Sequence, residues 1–274
     1  MPSSELRVLQ CGFPKSGSYG VYRLLAGVLD AAGALRSYKR RVGLATVAEA
    51  FGADALVFPE AAHVDSFSFA SGACALEFPH PECRWLPVDP ALLLDGSTLL
   101  WTHDPCEVAL RPELASVTHR VYVLRDGRDV LDSLVHHVVR PEVRRLHPAY
   151  RHATPEAVYG DLALFASYAR RWAAHVDAYL RERERFLAVR LEELARDPGA
   201  VAAKVAHALG LEVDADAIGA GVSFAALRGA APGHLRRGAP GGWRAHFRAD
   251  HHRIFAEVAG ATLAAAGYAR GSEA

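Results

Sequence analysis

Residues 12 to 18 read Gly-Phe-Pro-Lys-Ser-Gly-Ser. Gly12 and Gly17 have the glycine spacing of a nucleotide-triphosphate loop, but that loop carries its lysine directly after the second glycine. Here Lys15 precedes Gly17, and Ser18 occupies the usual lysine slot. Backbone N–H groups of residues 15–18 at a helix N-terminus would bind an anion through their unpaired donors and the helix dipole. Ser16 and Ser18 add hydroxyl donors, and Lys15 adds a mobile positive charge. No separate acidic Mg²⁺ site of Walker B type stands out. An ordinary tight strand–helix turn would show the same glycines, so the loop alone does not decide. A second cation, Arg125, ends the run "RVYVLRD". Ligands of open α/β sheets bind at the carboxyl ends of strands. Taken alone, Arg125 reads first as a surface ion-pair residue.

The elements that would position these residues follow from pattern. Residues 6–13 ("LRVLQCGF") form a short apolar run ended by Gly-Phe-Pro, which predicts a buried strand. After the loop, Val21, Leu24, Leu25, Val28 and Leu29 share one helical face, and Gly33 stops that helix. Strands are also predicted at 97–104, at 119–126 and within "RFLAVRLEEL". A helix follows Arg125, with Val130, Leu134, Val135 and Val138 on one side. Thr154-Pro155 predicts the start of a long helix running to about Arg181. Asp197-Pro198 opens a helix ending at Gly210, and a last helix covers about 250–266. Residues 34–97 are rich in Pro, aromatic and small residues and read as long packed loops with short helices. Alternating strands and helices imply an α/β fold, with a mostly parallel sheet covered by helices on both faces. The 274 residues are read as a single domain.

Composition excludes some functions. With 31 basic and 31 acidic side chains, the formal charge is zero, and there is no global electrostatic case for nucleic acid or an anionic membrane. The N-terminus lacks the pattern of a signal peptide. No apolar run approaches the length needed to span a bilayer. Cys11, Cys74, Cys83 and Cys106 show no C-x-x-C pairing, which suits free thiols in a reducing, cytoplasmic setting. His80 and Cys83 form at most a metal half-site without a second ligand pair, so no metal is expected.

Three segments in order carry a resemblance. These are "GFPKSGS" after the first strand, "YVLRDGRDVLDS" at a later strand–helix junction, and "LRRGAPGGWRAHF" near the C-terminus. Together they resemble the sulfotransferases that use 3′-phosphoadenosine 5′-phosphosulfate (PAPS), both the cytosolic type and its bacterial relatives. The family motifs read P-K-S-G-T-T-W, Y-x-x-R-[ND]-x-[KR]-D-x-x-x-S and R-K-G-x-x-G-D-W. The resemblance runs from about residue 7 to 255 and is weak over 34–97.

The resemblance implies a P-loop-containing fold whose loop holds a single 5′-phosphate bearing a sulfuryl group. It implies that Lys15 contacts the bridging oxygen and the leaving phosphate, with Ser16, Gly17, Ser18 and Tyr19 around that phosphate. Arg125 and Ser133 match the pair that binds the 3′-phosphate, and Arg236, Arg237 and Gly238 match the segment that closes over it. Arginine suits this task because its planar fork bonds two oxygens at once. Phe224 matches an aromatic beside the adenine. "LLWTHDP" resembles the family strand ending in K-T-H, which makes His103 the general base. An unperturbed histidine can take a proton at neutral pH. Read without the family, His103 is first a satisfied strand-end histidine. His136 and His137 read as structural or pocket-lining.

Several positions depart from the family. Trp101 replaces a second lysine, Gly20 an adenine-stacking tryptophan, Gly242 an aspartate, and Arg190 a tyrosine. "RAHFRADHHR" lacks the pattern of the family's small dimer contact, which leaves the oligomeric state open. The expected reaction is sulfuryl transfer from PAPS to a hydroxyl of a small-molecule acceptor, releasing 3′-phosphoadenosine 5′-phosphate (PAP). Segment 58–90 is expected to form a lid, and its composition suggests an aromatic or apolar alcohol or phenol. The alternatives are a P-loop kinase and a non-catalytic PAP-binding relative. High Ala, Arg and Gly content points to a GC-rich bacterial source, where by analogy such enzymes modify secondary metabolites.

Overall fold

The computed structural model describes residues 6–51, 56–57, 62–70, 72–230 and 240–269. Its central sheet joins β1 (Val8–Cys11), β5 (Leu99–Thr102), β6 (His119–Leu124) and β7 (Leu187–Arg190) in the order β5-β1-β6-β7. All three pairings are parallel. β1 is buried along its length, as its unbroken apolar run requires when helices cover both faces. Cys11 pairs with Thr102 on one side and Tyr122 on the other. This register brings the carboxyl ends of β1, β5 and β6 to one edge, where the loop after Cys11, His103 and Arg125 begin.

Strand alternation divides the apolar side chains between two cores. Leu9, Cys11, Tyr122 and Leu124 face one layer, with Val130, Leu134, Phe165 and Trp172. Val8, Val121 and Val123 face the other, with Leu24, Leu25, Val28 and Val205. The first layer is built by α2 (Gly127–Val138), α3 (Leu162–Arg181) and α6 (Ala249–Ala265). The second is built by α1 (Ser18–Ala31) and α5 (Pro198–Leu209). α5 starts at Asp197, whose side chain accepts from the Ala200 N–H at 2.9 Å, and ends at Gly210 with φ 67°. Both ends agree with the sequence pattern.

Two expectations are corrected. Residues 34–97 are not only loops with short helices, because β2 (Phe67–Ala70), β3 (Ala73–Glu77) and β4 (Trp85–Pro87) form a separate antiparallel sheet. These strands have only three to five residues, too short for alternation to stand out from loop sequence. A Ser66–Trp101 bridge ties this sheet to β5. The helix that Thr154 opens stops at Gly160. Asp161 then leaves helical geometry (ψ 82°), and its carboxylate caps α3 by accepting from the Leu164 N–H at 2.9 Å. An aspartate inside an apparent helical period acts here as a second N-cap. Segment 58–90 contains the small sheet, but residues 58–61 and 71 lie outside the described residues.

Candidate active site

The loop after β1 has the conformation that its residue types demand. Gly17 has φ 94°, and a Cβ there would lie 2.5 Å from Leu191 Cδ1. At Gly12, a Cβ would meet the Val123 carbonyl oxygen at 2.8 Å. The loop can therefore press against β6 and the start of α4 (Leu191–Arg196) only with glycine at both points. The Ser16 N–H donates to the Phe13 carbonyl at 3.2 Å, and buried Gln10 donates from Nε2 to the Ser18 carbonyl at 2.9 Å. α1 has no side-chain N-cap, so its first N–H groups rely on other partners. The Ser18 hydroxyl is buried without a hydrogen-bond partner among the described residues. An uncapped helix start with an orphaned hydroxyl suits an anion.

Charged groups converge on this loop. Arg125 Nη1 donates to the Lys15 carbonyl at 3.0 Å, and Lys15 Nζ lies 3.3 Å from His137 Nδ1. His103 Nδ1 donates to the Gly12 carbonyl at 2.7 Å, which puts the ring proton on Nδ1 and leaves Nε2 as the basic nitrogen. The His103 ring opens onto a cavity while protein mass surrounds it, and this burial pulls its pKa below the usual 6.5. The Gly12 contact opposes that shift. His175 Nε2 donates to the His103 carbonyl at 3.3 Å, and Tyr122 OH lies 2.8 Å from His175 Nδ1. Burial lowers the His175 pKa to about 4, so this support is neutral near pH 7.

The cavity has a volume of about 970 Å³. Of the residues singled out in the sequence, Lys15, Ser18, His103, Arg125, Ser133 and Phe224 line it together. Gly17 and Tyr19 also line it, whereas Ser16 is buried in the loop and does not. Arg236, Arg237 and Gly238 lie outside the described residues. Just beyond them, Asp129 Oδ2 accepts from the Gly241 N–H at 2.7 Å and Oδ1 accepts from the Trp243 N–H at 3.3 Å. The second and third motif segments are thereby joined through one buried carboxylate.

A sulfotransferase domain family model matches residues 6–267. The chain belongs to the sulfotransferase family. No curated protein sequence matches it. The crystal structure of mouse sulfotransferase SULT7A1 complexed with PAP is similar at 17% identity and TM-score 0.60, covering 94% of this chain and 84% of that one. A structure of retinol dehydratase with androsterone and inactive cofactor PAP is similar at 16% identity and TM-score 0.53, covering 96% and 82%.

The departures of this sulfotransferase-family chain have local physical accounts. A Cβ at Gly242 would stand 3.5 Å from Asp132 Oδ2 and 3.7 Å from Asp129 Oδ1, so an aspartate there would add a third carboxylate to two. Gly20 faces Leu227 and Leu194, with Cβ distances of 3.4 and 3.5 Å, and these leucines line the cavity with Phe224 and Val222. Trp101 stacks on Tyr22 (centroids 5.7 Å, 28°) and meets the edge of His103 (5.3 Å, 73°), forming apolar floor beside the histidine. Arg190 is not in the cavity. It donates from Nη2 to the Ala266 carbonyl at 2.6 Å and lies over Tyr268, fastening the chain after α6 to β7.

Pattern reading did not assign roles to Gln10, Asp129 or His175, and it left His137 as a structural or pocket-lining residue. Only His137 had a usable signal, four residues after Ser133 on one helix face. Asp132, His136 and His246 also come together, with potential ligand atoms within 4.8 Å of one another. Asp132 Oδ1 accepts from Tyr159 OH and from His246 Nδ1, each at 2.6 Å, so hydrogen bonds account for this buried carboxylate. Among the described residues, no helix is long and apolar enough to cross a membrane.

Proposed function

We propose that this protein transfers a sulfuryl group from PAPS to a hydroxyl of a small-molecule acceptor. The observation that carries the reading is that the α1 loop, Arg125 with Ser133, and His103 line one cavity. The residues suit the donor: the uncapped start of α1, Ser18 and Lys15 would hold its 5′ end, and Arg125 and Ser133 would hold its 3′-phosphate. The adenine would lie against Phe224, Leu194 and Leu227. Arg236, Arg237 and Gly238 would complete the 3′ side. When bound, the donor supplies the sulfuryl group.

His103 Nε2 takes the acceptor's proton, while the Gly12 contact keeps the ring in the tautomer that this requires and His175 holds the His103 backbone. Lys15 neutralises charge on the leaving phosphate. Trp101 carries no charge, and its floor of aromatic surface favours an acceptor with a flat apolar body. Phe67, Trp85 and Tyr150 extend that surface. Arg84, paired with Glu77 at 2.6 Å and donating to His147 at 2.9 Å, adds a polar group to the same wall. The acceptor class is therefore an aromatic or apolar alcohol or phenol with a further polar substituent. The androsterone in the related retinol dehydratase structure is an apolar alcohol, which supports this class.

The test is PAP release from PAPS in a mass-resolved screen of phenols, alcohols and amines, with His103→Ala as control. Acceptor-dependent release that falls about 10²–10⁴-fold in the control supports the reading. Equal release from both proteins, or none with any acceptor, contradicts it.

A further inference from the structure

Lys15 is held at two points by one strand–helix unit. It is the one non-glycine described residue with positive φ, at 71°. Arg125, which follows β6, donates to its carbonyl at 3.0 Å. His137, in the last turn of α2, meets its ammonium at 3.3 Å through Nδ1. An ammonium only donates, so the His137 Nδ1 in this contact is the bare nitrogen and its ring proton is on Nε2. Ser133 and His137 are about one turn apart on α2, about 6 Å along the axis, and both line the cavity. The helix face that presents Ser133 thus also presents an acceptor to the lysine.

A lysine side chain is a flexible stem with a mobile charge. Its backbone is constrained by the left-handed turn and by Arg125, but neither directs the ammonium. We propose that His137 is a positioning residue for the transfer reaction: as a neutral acceptor it holds the Lys15 ammonium at the point in the cavity where the leaving phosphate develops charge. This inference rests on the sulfuryl-transfer reading. It assigns His137 no contact with the reacting atoms, only control over the group that has one. Its signature is a loss in turnover with little loss in nucleotide affinity, because the other loop donors and Arg125 remain. Misplacement of a catalytic group by about 1 Å can cost up to about 10²-fold.

The test compares wild type with His137→Phe, which keeps ring volume but lacks an acceptor, and His137→Asn, whose Oδ1 takes the place of Nδ1. Three quantities are measured: kcat for PAP release from PAPS with 2-naphthol, Kd for PAP by calorimetry, and Tm. H137F should lower kcat about 10- to 100-fold and shift the PAP Kd less than about 3-fold, and H137N should recover most of the lost turnover. Should H137F fail to fold, His137→Lys supplies the same reading, since a second ammonium repels Lys15 and lowers kcat as far. Wild-type kcat in H137F, or H137N as slow as a folded H137F, overturns this inference alone. A wild-type protein that releases no PAP with 2-naphthol, yet does so with another acceptor of the screen, moves the comparison to that acceptor. Release with none overturns the sulfuryl-transfer reading and this inference with it.

Discussion

Gly17→Ala tests the loop at its tightest point. Two separate penalties follow from the structure. An alanine at φ 94° adopts a left-handed conformation, which costs an L-residue about 1–2 kcal/mol. Its methyl would also lie 2.5, 2.8 and 3.0 Å from the Cδ1, Cδ2 and Cγ of Leu191, so that side chain must move. Overpacking of this kind costs about 1–3 kcal/mol. The expected total is about 2–5 kcal/mol, read by urea unfolding followed through tryptophan fluorescence. Because Leu191 lines the cavity, PAP binding should weaken as well. Leu191→Ala removes the three atoms that the new methyl would strike. The double variant should therefore be more stable than the sum of the singles by the overpacking term, about 1–3 kcal/mol, leaving the conformational penalty and the cost of Leu191→Ala. A single variant within about 0.5 kcal/mol of wild type would refute the reasoning, as would strict additivity in the cycle.

The other predictions concern titration and the segment joint. Burial lowers the His103 pKa, and a base must be neutral, so kcat/KM should fall with acid through a midpoint below pH 6.5; a midpoint at or above 6.5 would contradict this role. His175 has a folded pKa of about 4 against 6.5 unfolded, so between those values the unfolded chain binds more protons. Its contribution is complete above pH 6.5 and is lost toward pH 4, about 3 kcal/mol in all, and unfolding of His175→Gln over that range should lack this slope. Asp129→Ala leaves the Gly241 and Trp243 N–H groups without their carboxylate, and should cost about 3 kcal/mol in urea unfolding while weakening PAP binding.

The parts of the site that were legible in the sequence are those made by neighbours in the chain. Gly12 and Gly17 bracket a turn at two points too close to β6 and Leu191 for a Cβ, so their spacing shows directly. Arg125 and His103 stand at strand ends, and the parallel register of β1, β5 and β6 brings both to the loop. What stayed hidden depends on contacts across the fold. The Lys15–His137 pair spans 122 positions, and Asp129 meets Gly241 across 112. Nothing local in Arg190 indicates that it will bind the Ala266 carbonyl. The β2-β3-β4 sheet escaped pattern reading because its strands are too short to repeat a period. Asp161 escaped because the apolar period continues through the cap that breaks the helix.

The central claim is that the α1 loop and Arg125 with Ser133 form one cradle for an adenine nucleotide phosphorylated at both its 3′ and 5′ positions. Calorimetric titration with PAP, adenosine 5′-phosphate and ATP–Mg²⁺ tests it most directly. PAP should bind tightest of the three, and Arg125→Ala should abolish its advantage over adenosine 5′-phosphate. Absence of heat with PAP, or tighter binding of ATP–Mg²⁺, would contradict the account.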